Sequence, residues 1–218
     1  MASVLTAKEI SKSYGSTEVL RDISLEVSAS DAVLIVGPNG SGKTTLLSIL
    51  GGLDAPSRGS VVLDGQEIIG LPERRLADVR LHKLGFVFQT HNLIDDLTVA
   101  ENVALPLRLA RRPYPGRVDE LLGAFGLARL ATRHPGQISV GESQRVAVAR
   151  ALANGPKVIL ADEPTAALDA KGSAAVLDAF ERARSSFGAA LVAAAHDATV
   201  PRIDARRIDI IDGTIAIA

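Results

Sequence analysis

The chain has 218 residues, enough for one large domain or for one domain with a modest insertion. Its formal net charge of −1 argues against a nucleic-acid partner, and the absence of cysteine excludes disulfides and thiolate metal sites. A reducing compartment is therefore the default expectation. Residues 1–9 lack the basic start and apolar stretch of a secretory leader, and the apolar runs are too short to span a bilayer. We expect any membrane role to come through a partner.

The predicted elements alternate between strands and helices along most of the chain. Strands are predicted over residues 4–10, 19–27, 32–36, 60–63, 84–88, 158–161, 190–195, 208–211 and 214–217. Helices are predicted from residue 45 and over residues 72–82, 117–129, 142–153 and 170–187. Alternation of this kind predicts an α/β fold with a mostly parallel sheet.

The stretch over residues 90–155 departs from this alternation, because it contains no convincing strand. Thr98 and Glu101 match a capping box, which predicts that a helix opens there. We interpret the stretch as a helical lobe inserted into an α/β core. The predicted organisation is a single domain over residues 1–218, with residues 1–89 and 156–218 as the core and an N-terminal antiparallel β subdomain.

A glycine-rich motif lies between a predicted strand and a predicted helix. Residues 37–45 read GPNGSGKTT, in which Gly37, Gly42, Lys43 and Thr44 occupy the fixed positions of a phosphate-loop pattern. The glycines let backbone N–H groups approach an anion, and the helix N-terminus adds favourable dipole potential. Lys43 can reach the β- and γ-phosphates, and the Thr44 hydroxyl can join the oxygen shell of Mg²⁺. The predicted nucleotide-binding residues are Gly37, Pro38, Asn39, Gly40, Ser41, Gly42, Lys43, Thr44 and Thr45.

Two carboxylates follow the predicted strand over residues 158–161. In phosphoryl transfer, a carboxylate at a strand end can hold Mg²⁺ directly or through water, and Asp162 suits that role. Glu163 is one residue further on and can polarise a water for attack on the γ-phosphate. The alternative is a pair of solvated acids, which the phosphate loop upstream disfavours.

Together these motifs resemble the ATP-binding subunits of ABC transporters, over essentially the whole chain and in the family's motif order. The resemblance implies a P-loop NTPase core with ATP and Mg²⁺ as ligands. It implies that Tyr14 stacks on adenine and that Gln89 touches Mg²⁺ or water and senses the γ-phosphate. His196 matches the family's switch histidine, which contacts the γ-phosphate, and residues 167–169 match a loop that crosses the dimer interface. The implied catalytic residues are Glu163, His196 and Gln89, and the implied metal ligands are Thr44, Gln89 and Asp162.

The family signature is usually Leu-Ser-Gly-Gly-Gln, and residues 138–142 read ISVGE at the matching position. The resemblance assigns Ser139, Gly141 and Glu142 to the nucleotide held by the other subunit, at the start of a helix beginning near Glu142. Val140 replaces a glycine, and a β-branched residue resists unusual backbone angles and close approach to phosphate. Either the backbone here is one that valine allows, or the composite site is weakened.

The resemblance also implies how such a protein works. Two copies would close around two ATP molecules, and hydrolysis would reopen the homodimer and drive an integral membrane permease through a groove near Gln89. Residues 86–89, 92–93, 97–98 and 101–107 look like one branch of the family, which powers lipoprotein extraction, antibiotic or peptide efflux, and cell-division signalling. The expected location is cytoplasmic, peripheral on the inner face of the cell membrane.

Two other functions remain open from the sequence. One is a nucleotide-binding module with weak hydrolysis, caused by Val140. The other is a soluble non-transport ABC ATPase that acts as a clamp on DNA or ribosomes. Long coiled coils or paired cassettes characterise that second group, and this chain has neither, nor a basic net charge.

Overall fold

The computed structural model describes residues 3–111, 113–196 and 204–216. The strands in these ranges are β1 (Ser3–Tyr14), β2 (Thr17–Ser28), β3 (Ala32–Val36), β4 (Arg58–Leu63), β5 (Gln66–Glu67), β6 (Leu84–Val87), β7 (Val158–Asp162), β8 (Ala190–Ala195), β9 (Arg206–Ile211) and β10 (Thr214–Ala216). The helices are α1 (Lys43–Leu50), α2 (Glu73–Lys83), α3 (Val99–Leu109), α4 (Arg117–Ala124), α5 (Val140–Ala151) and α6 (Ala170–Phe187). No helix within the described ranges has the length and apolar character needed to cross a bilayer.

The strands form two sheets. A four-stranded antiparallel sheet has the order β2-β1-β4-β5, and a six-stranded sheet has the order β10-β9-β3-β8-β7-β6. Every neighbouring pair in the larger sheet is parallel except β9 and β10, which form an antiparallel edge. The predicted α/β fold, with a mostly parallel sheet and an N-terminal antiparallel sheet, is confirmed.

The larger sheet is buried on both faces, because its side chains alternate between two hydrophobic cores. In β3, Val33 and Ile35 point into a core shared with the antiparallel sheet and α1. Leu34 and Val36 point into the other core, which is shared with α3, α4, α5 and α6. All five residues of β3 are buried, as expected for a central parallel strand. The parallel strands therefore present their carboxyl ends at one common edge of the sheet.

Helix α3 begins with the predicted capping box, which is confirmed. The backbone N–H of Glu101 donates to the Thr98 hydroxyl over 3.2 Å, and the Thr98 N–H donates to the Glu101 carboxylate over 2.9 Å. One turn further on, the fully buried Asn102 bonds the backbone of Ile94 and Leu97, which fixes the segment leading into α3.

Several helix boundaries differ from the sequence prediction, and two of the differences are instructive. The helix predicted over residues 117–129 ends at Ala124 as α4, because Gly126 turns the chain with a φ of +67° and only a short 3-10 turn follows at Ala128–Leu130. The helix predicted from Glu142 begins two residues earlier, at Val140. This shift changes the interpretation of the signature residues.

Candidate nucleotide-binding site

The phosphate loop connects β3 to α1, and two of its glycines are required by their surroundings. A Cβ atom on Gly37 would lie 2.2 Å from the carbonyl oxygen of Ile210. Gly42 has a φ of +100°, and a Cβ atom there would lie 2.6 Å from Cδ2 of Leu20. Any other residue at these positions would push the loop away from β2 and β9. The glycines thus seat the loop against two strands and leave its outer side, residues 38–40, exposed.

Lys43 is the first residue of α1, and its ammonium group lies under the loop. The Nζ atom donates hydrogen bonds to the carbonyl oxygens of Gly37 (2.9 Å) and Pro38 (3.1 Å). It also lies 3.6 Å from Oε1 of Glu163. Only 5% of the Lys43 side chain is exposed, so its charge is held in place and is little screened by solvent.

Polar atoms without partners are concentrated at this site. In the described part of the chain, three buried side-chain polar atoms lack a hydrogen-bond partner: Ser41 Oγ, Asp162 Oδ1 and Asn154 Oδ1. The first belongs to the phosphate loop, and the second to the end of β7 beside it. A buried polar atom without a partner is costly, so two of them next to a glycine loop indicate a polar ligand. The two threonines that follow Lys43 differ in exposure: Thr44 is exposed and Thr45 is half-buried.

Asp162 joins the end of β7 to the phosphate loop. The Thr44 hydroxyl donates to Asp162 Oδ2 over 2.9 Å, which links two motifs that are 118 residues apart in sequence. Burial raises the pKa of Asp162; the Thr44 hydrogen bond opposes that shift, and the nearby charge of Glu163 adds to it. A cation at this position would relieve the cost of burying the carboxylate.

The side-chain oxygen atoms that the protein supplies at this site suit Mg²⁺. Among the described residues, no group of three or more histidine, cysteine or acidic side chains could hold a metal by itself. Mg²⁺ usually takes only one or two protein ligands and completes its shell with phosphate oxygens and water. Thr44 and the unpartnered oxygen of Asp162 match that arrangement.

Glu163 leaves the strand with an uncommon backbone conformation. Its φ is +44°, which is rare for a residue other than glycine, and its N–H donates to the carbonyl oxygen of Ala194 over 3.1 Å. This bond fixes the end of β7 to β8. The sharp turn aims the Glu163 side chain back at the loop, where Lys43 meets it. Strained residues of this kind cluster at functional sites.

The other two predicted catalytic residues lie at the same edge of the sheet. His196 directly follows β8 and is exposed. Gln89 comes two residues after β6 and is also exposed. Because β3, β8, β7 and β6 are parallel neighbours, their carboxyl ends bring Gln89, Glu163 and His196 to the phosphate-loop edge.

The segment that carries Gln89 is held by α5, through two residues to which sequence analysis gave no role. The buried Gln144 donates from Nε2 to the carbonyl oxygen of Phe88 over 2.8 Å. Arg150 donates to the carbonyl oxygens of His91 (2.8 Å) and Asn92 (2.6 Å). Gln144 and Arg150 lie in the stretch that follows the signature. The family pattern therefore indicated where these two residues are, but not that they bond the backbone of the segment that carries Gln89.

The signature residues form the N-terminus of α5. Ser139 is the N-cap, and its hydroxyl accepts from the Glu142 N–H over 3.3 Å. Glu142 is the third helical residue, and its carboxylate accepts from the backbone N–H of Ser139 over 2.9 Å. The Glu142 carboxylate completes a capping box and pairs with Arg129 over 3.0 Å, and its predicted contact with the other subunit's nucleotide stays a prediction. The pattern S-x-x-E was present in the sequence and indicated this cap.

Val140 is the first residue of α5 and has helical backbone angles, which any L-residue adopts. The backbone at this position is therefore one that valine allows, which was the first of the two possibilities raised by the sequence. The Val140 side chain is 50% exposed and points away from the core. Among the described residues, none of the hydrogen bonds or ion pairs of Ser139 or Glu142 reaches the phosphate loop of the same chain. The signature is thus separate from that loop.

Tyr14 ends β1, and its ring is half exposed. The hydroxyl donates to Asp54 over 2.5 Å, and Asp54 follows α1 in sequence. Sequence analysis missed Asp54, because no local pattern connects two residues 40 positions apart.

A groove lies next to the segment that carries Gln89, since the preceding residue, Phe88, is part of its lining. Its volume is about 420 Å³, and it runs between α2, β6 and α3. Apolar residues dominate its lining, and two of them, Leu53 and Leu109, are more than half exposed. Its other lining residues include Phe86, Phe88, Pro106 and Arg150.

The fold and this edge of the sheet define a P-loop nucleotide-binding domain. Residues 20–166 match the family model described as ABC transporter. A lipoprotein-releasing system ATP-binding protein, LolD, from Geobacter metallireducens is 42% identical over 222 aligned positions, an alignment that covers 99% of each chain. The LolD protein of Bacteroides fragilis is 43% identical, covering 94% of this chain and 97% of its own.

Solved structures agree with the sequence comparisons. The ATP-binding cassette MJ0796, determined as a dimer in a post-hydrolysis state with ADP and Pi, has a TM-score of 0.86 and 39% identity, over 97% of this chain and 96% of that chain. This chain therefore belongs to the ABC transporter family, as an ATP-binding subunit. The predicted resemblance, including its lipoprotein-release branch, is confirmed.

Proposed function

We propose that this chain binds ATP with Mg²⁺, hydrolyses it as an ATP-dependent homodimer, and thereby drives an integral membrane permease. The observation that carries this proposal is the 2.9 Å hydrogen bond from Thr44 to Asp162, beside a buried carboxylate oxygen without a partner. That arrangement supports one contiguous site, in which the phosphate loop, Asp162 as a metal-binding carboxylate and Glu163 act together.

The phosphate loop positions the triphosphate. The backbone N–H groups of residues 39–45 and the N-terminus of α1 bind its oxygens, with the hydroxyls of Ser41 and Thr45 as further donors. Lys43 exchanges its bonds to the Gly37 and Pro38 carbonyls for bonds to the β- and γ-phosphates. Tyr14 provides the flat surface for the adenine ring.

Thr44 and Asp162 hold Mg²⁺ in this proposal, with Gln89 as a third oxygen ligand that reaches the metal directly or through water. When bound, the ion neutralises charge on the β- and γ-phosphate oxygens. Glu163 accepts a proton from the attacking water, while His196 orients the γ-phosphate. Gln89 senses whether the γ-phosphate is present.

The second half of each site comes from the partner copy. Ser139 and the backbone of Gly141 contact the γ-phosphate held by the other chain, at the N-terminus of α5. The dimer of MJ0796 with ADP and Pi, a structure 39% identical to this chain, supports a homodimer as the acting form. Loss of the γ-phosphate removes the bridge between the two copies, so the dimer opens.

The apolar groove beside Gln89 is the contact surface for the permease. The exposed Leu53 and Leu109 at its rim favour a protein partner over water. The lipoprotein-releasing systems named for the relatives support lipoprotein extraction as the process that is driven. The chain is then cytoplasmic and peripheral on the inner face of the cell membrane, without a nucleic-acid partner.

ATP turnover by the purified chain tests this function, with and without Mg²⁺ and beside Lys43→Met. Methionine keeps the apolar stem of the lysine but cannot donate to phosphate, so we expect binding and turnover to be lost while the fold is kept. Turnover that persists in this variant, or that is independent of Mg²⁺, would contradict the proposal. Tight ATP binding without turnover in the unmodified chain would favour the alternative of a binding module with little hydrolysis.

A further inference from the structure

Tyr14 is exposed but is held on two sides. Its hydroxyl donates to Asp54 Oδ2 over 2.5 Å. The ammonium of Lys12 lies 4.6 Å from the centroid of the Tyr14 ring, within the range of a cation–π contact. One face of the ring therefore meets a fixed cation.

Lys12 and Asp54 are themselves fixed. Lys12 is 9% exposed and donates from Nζ to Asp54 Oδ1 (2.7 Å) and to the carbonyl oxygen of Ala55 (2.6 Å). Each carboxylate oxygen of Asp54 thus has its own donor. Burial acts against ionisation of Asp54, but the hydrogen bonds from Lys12 and Tyr14 outweigh it and lower the pKa of this carboxyl.

This cluster is attached to the helix that follows the phosphate loop. The backbone N–H groups of Leu53 and Asp54 both donate to the carbonyl oxygen of Ser48 in α1, over 2.8 and 3.2 Å. The pKa of Tyr14 is raised, first by its hydrogen bond to Asp54 and then by burial, while Thr45 lowers it in part.

We propose that Lys12 and Asp54 are positioning residues that hold the Tyr14 ring rigid beside α1, so that its free face is preorganised for a nucleobase. This inference rests on the proposed function, in which Tyr14 meets the adenine ring. A ring that is already ordered does not lose rotamer freedom when the base stacks on it, so the binding free energy is not spent on ordering it. Lys12 covers the opposite face, which leaves one face for the base.

Binding of ADP and of inorganic pyrophosphate, both with Mg²⁺, tests the inference, because only ADP carries a base. We expect Asp54→Asn to weaken ADP binding by about threefold to tenfold and to leave pyrophosphate binding unchanged. Tyr14→Phe should weaken ADP binding to a similar extent, and the double variant should be no weaker than either single variant. Asp119→Asn, at an exposed position on α4, is the matched control and should change neither ligand.

The outcomes separate this inference from the proposed function. If the unmodified chain bound neither ligand, the proposed function would fail. Binding of ADP by Asp54→Asn as tightly as by the unmodified chain would overturn only the inference. So would equal weakening of ADP and pyrophosphate, since it would mean that Asp54 acts through the phosphate loop rather than through the ring.

A spectroscopic measurement reports the ring itself. The chain has two tyrosines and no tryptophan, so Tyr114→Phe leaves Tyr14 as the only source of the phenol signal. In that background we expect Asp54→Asn to lower the pKa of Tyr14, as read from the absorbance of tyrosinate, because the hydrogen bond that raises it is lost. An unchanged Tyr14 titration would show that Asp54 does not hold the hydroxyl in solution.

Discussion

The ammonium nitrogen of Lys43 lies 3.6 Å from a carboxylate oxygen of Glu163, so an ion pair connects the phosphate loop to the end of β7. The same ammonium donates to two carbonyl oxygens of its own loop. In the proposed function the γ-phosphate would lie beside this pair, because Lys43 would bind it and Glu163 would activate the attacking water. The two residues are therefore expected to respond very differently to substitution.

Glu163→Gln keeps the shape of the side chain but removes the proton acceptor. We expect ATP turnover to fall by about 10²- to 10⁴-fold, while ATP binding is retained. Because the γ-phosphate then persists, ATP should hold the variant as a dimer, which gel filtration with ATP detects. Glu181→Gln, on the surface of α6, should behave like the unmodified chain. A Glu163→Gln variant that stays monomeric while it binds ATP would disprove the proposed role.

Val140→Gly restores the glycine that is usual in the family signature. Since Val140 already has helical backbone angles and an exposed side chain, we expect turnover to stay within about twofold of the unmodified chain. Glycine at the first position of α5 should lower the free energy of unfolding by about 0.5 kcal/mol or less. Val140→Ala separates the loss of the side chain from the added backbone freedom. A marked loss of turnover in Val140→Gly alone would show that valine is fitted to the composite site.

Ser139→Ala removes the N-cap of α5. We expect a loss of about 0.5–2 kcal/mol in the free energy of unfolding, measured by urea denaturation, and a loss of turnover. Glu142→Gln is the matched variant, because glutamine can still accept from the Ser139 N–H and complete the capping box. It should retain both stability and turnover. If Glu142→Gln lost as much turnover as Ser139→Ala, the carboxylate would be needed for more than the cap.

Asp162→Asn tests the buried carboxylate through pH. The pKa of Asp162 is raised from 3.8 in the folded state, so the protonated form is favoured there and its stabilising contribution is lost as the pH rises through the folded pKa. At neutral pH, without Mg²⁺ or nucleotide, the neutral asparagine should therefore raise the Tm. The gain should shrink as the pH is lowered towards 3.8. Asp119→Asn should show no such trend, and equal Tm shifts at both pH values would contradict a raised pKa.

The phosphate loop and the two carboxylates at the end of β7 could be predicted from the sequence because each is a short run with fixed spacing. The flanking strands added the context, since Val33 and Ile35 lie on one face of β3 and Leu34 on the other. The sheet order could not be read in the same way, because β3 lies between β8 and β9, which are far along the chain. Only the general rule for alternating strands and helices indicated parallel neighbours.

Other parts of the site depend on contacts between distant residues. Asp54 carries no motif, and its relation to Tyr14 exists only after β1 and the end of α1 meet. The start of α5 was predicted wrongly for a different reason, since the capping-box pattern of Ser139 and Glu142 was already present in the sequence. The expected family signature drew attention to phosphate contacts and away from that local pattern. Gly126, which ends α4, was also present but gave too weak a signal against the surrounding helix formers.

Helix α5 has a consequence for communication between two copies of the chain. Ser139 caps its N-terminus. Further along the helix, Gln144 and Arg150 donate hydrogen bonds to the backbone of the segment that carries Gln89. A helix of 12 residues is a stiff rod of about 18 Å, so both ends move together. In the proposed dimer, a ligand that displaces Gln89 in one copy would shift the Ser139 end of α5, which would face the second nucleotide. Such a shift would link the two sites thermodynamically, and we expect turnover to rise with ATP concentration more steeply than independent sites allow.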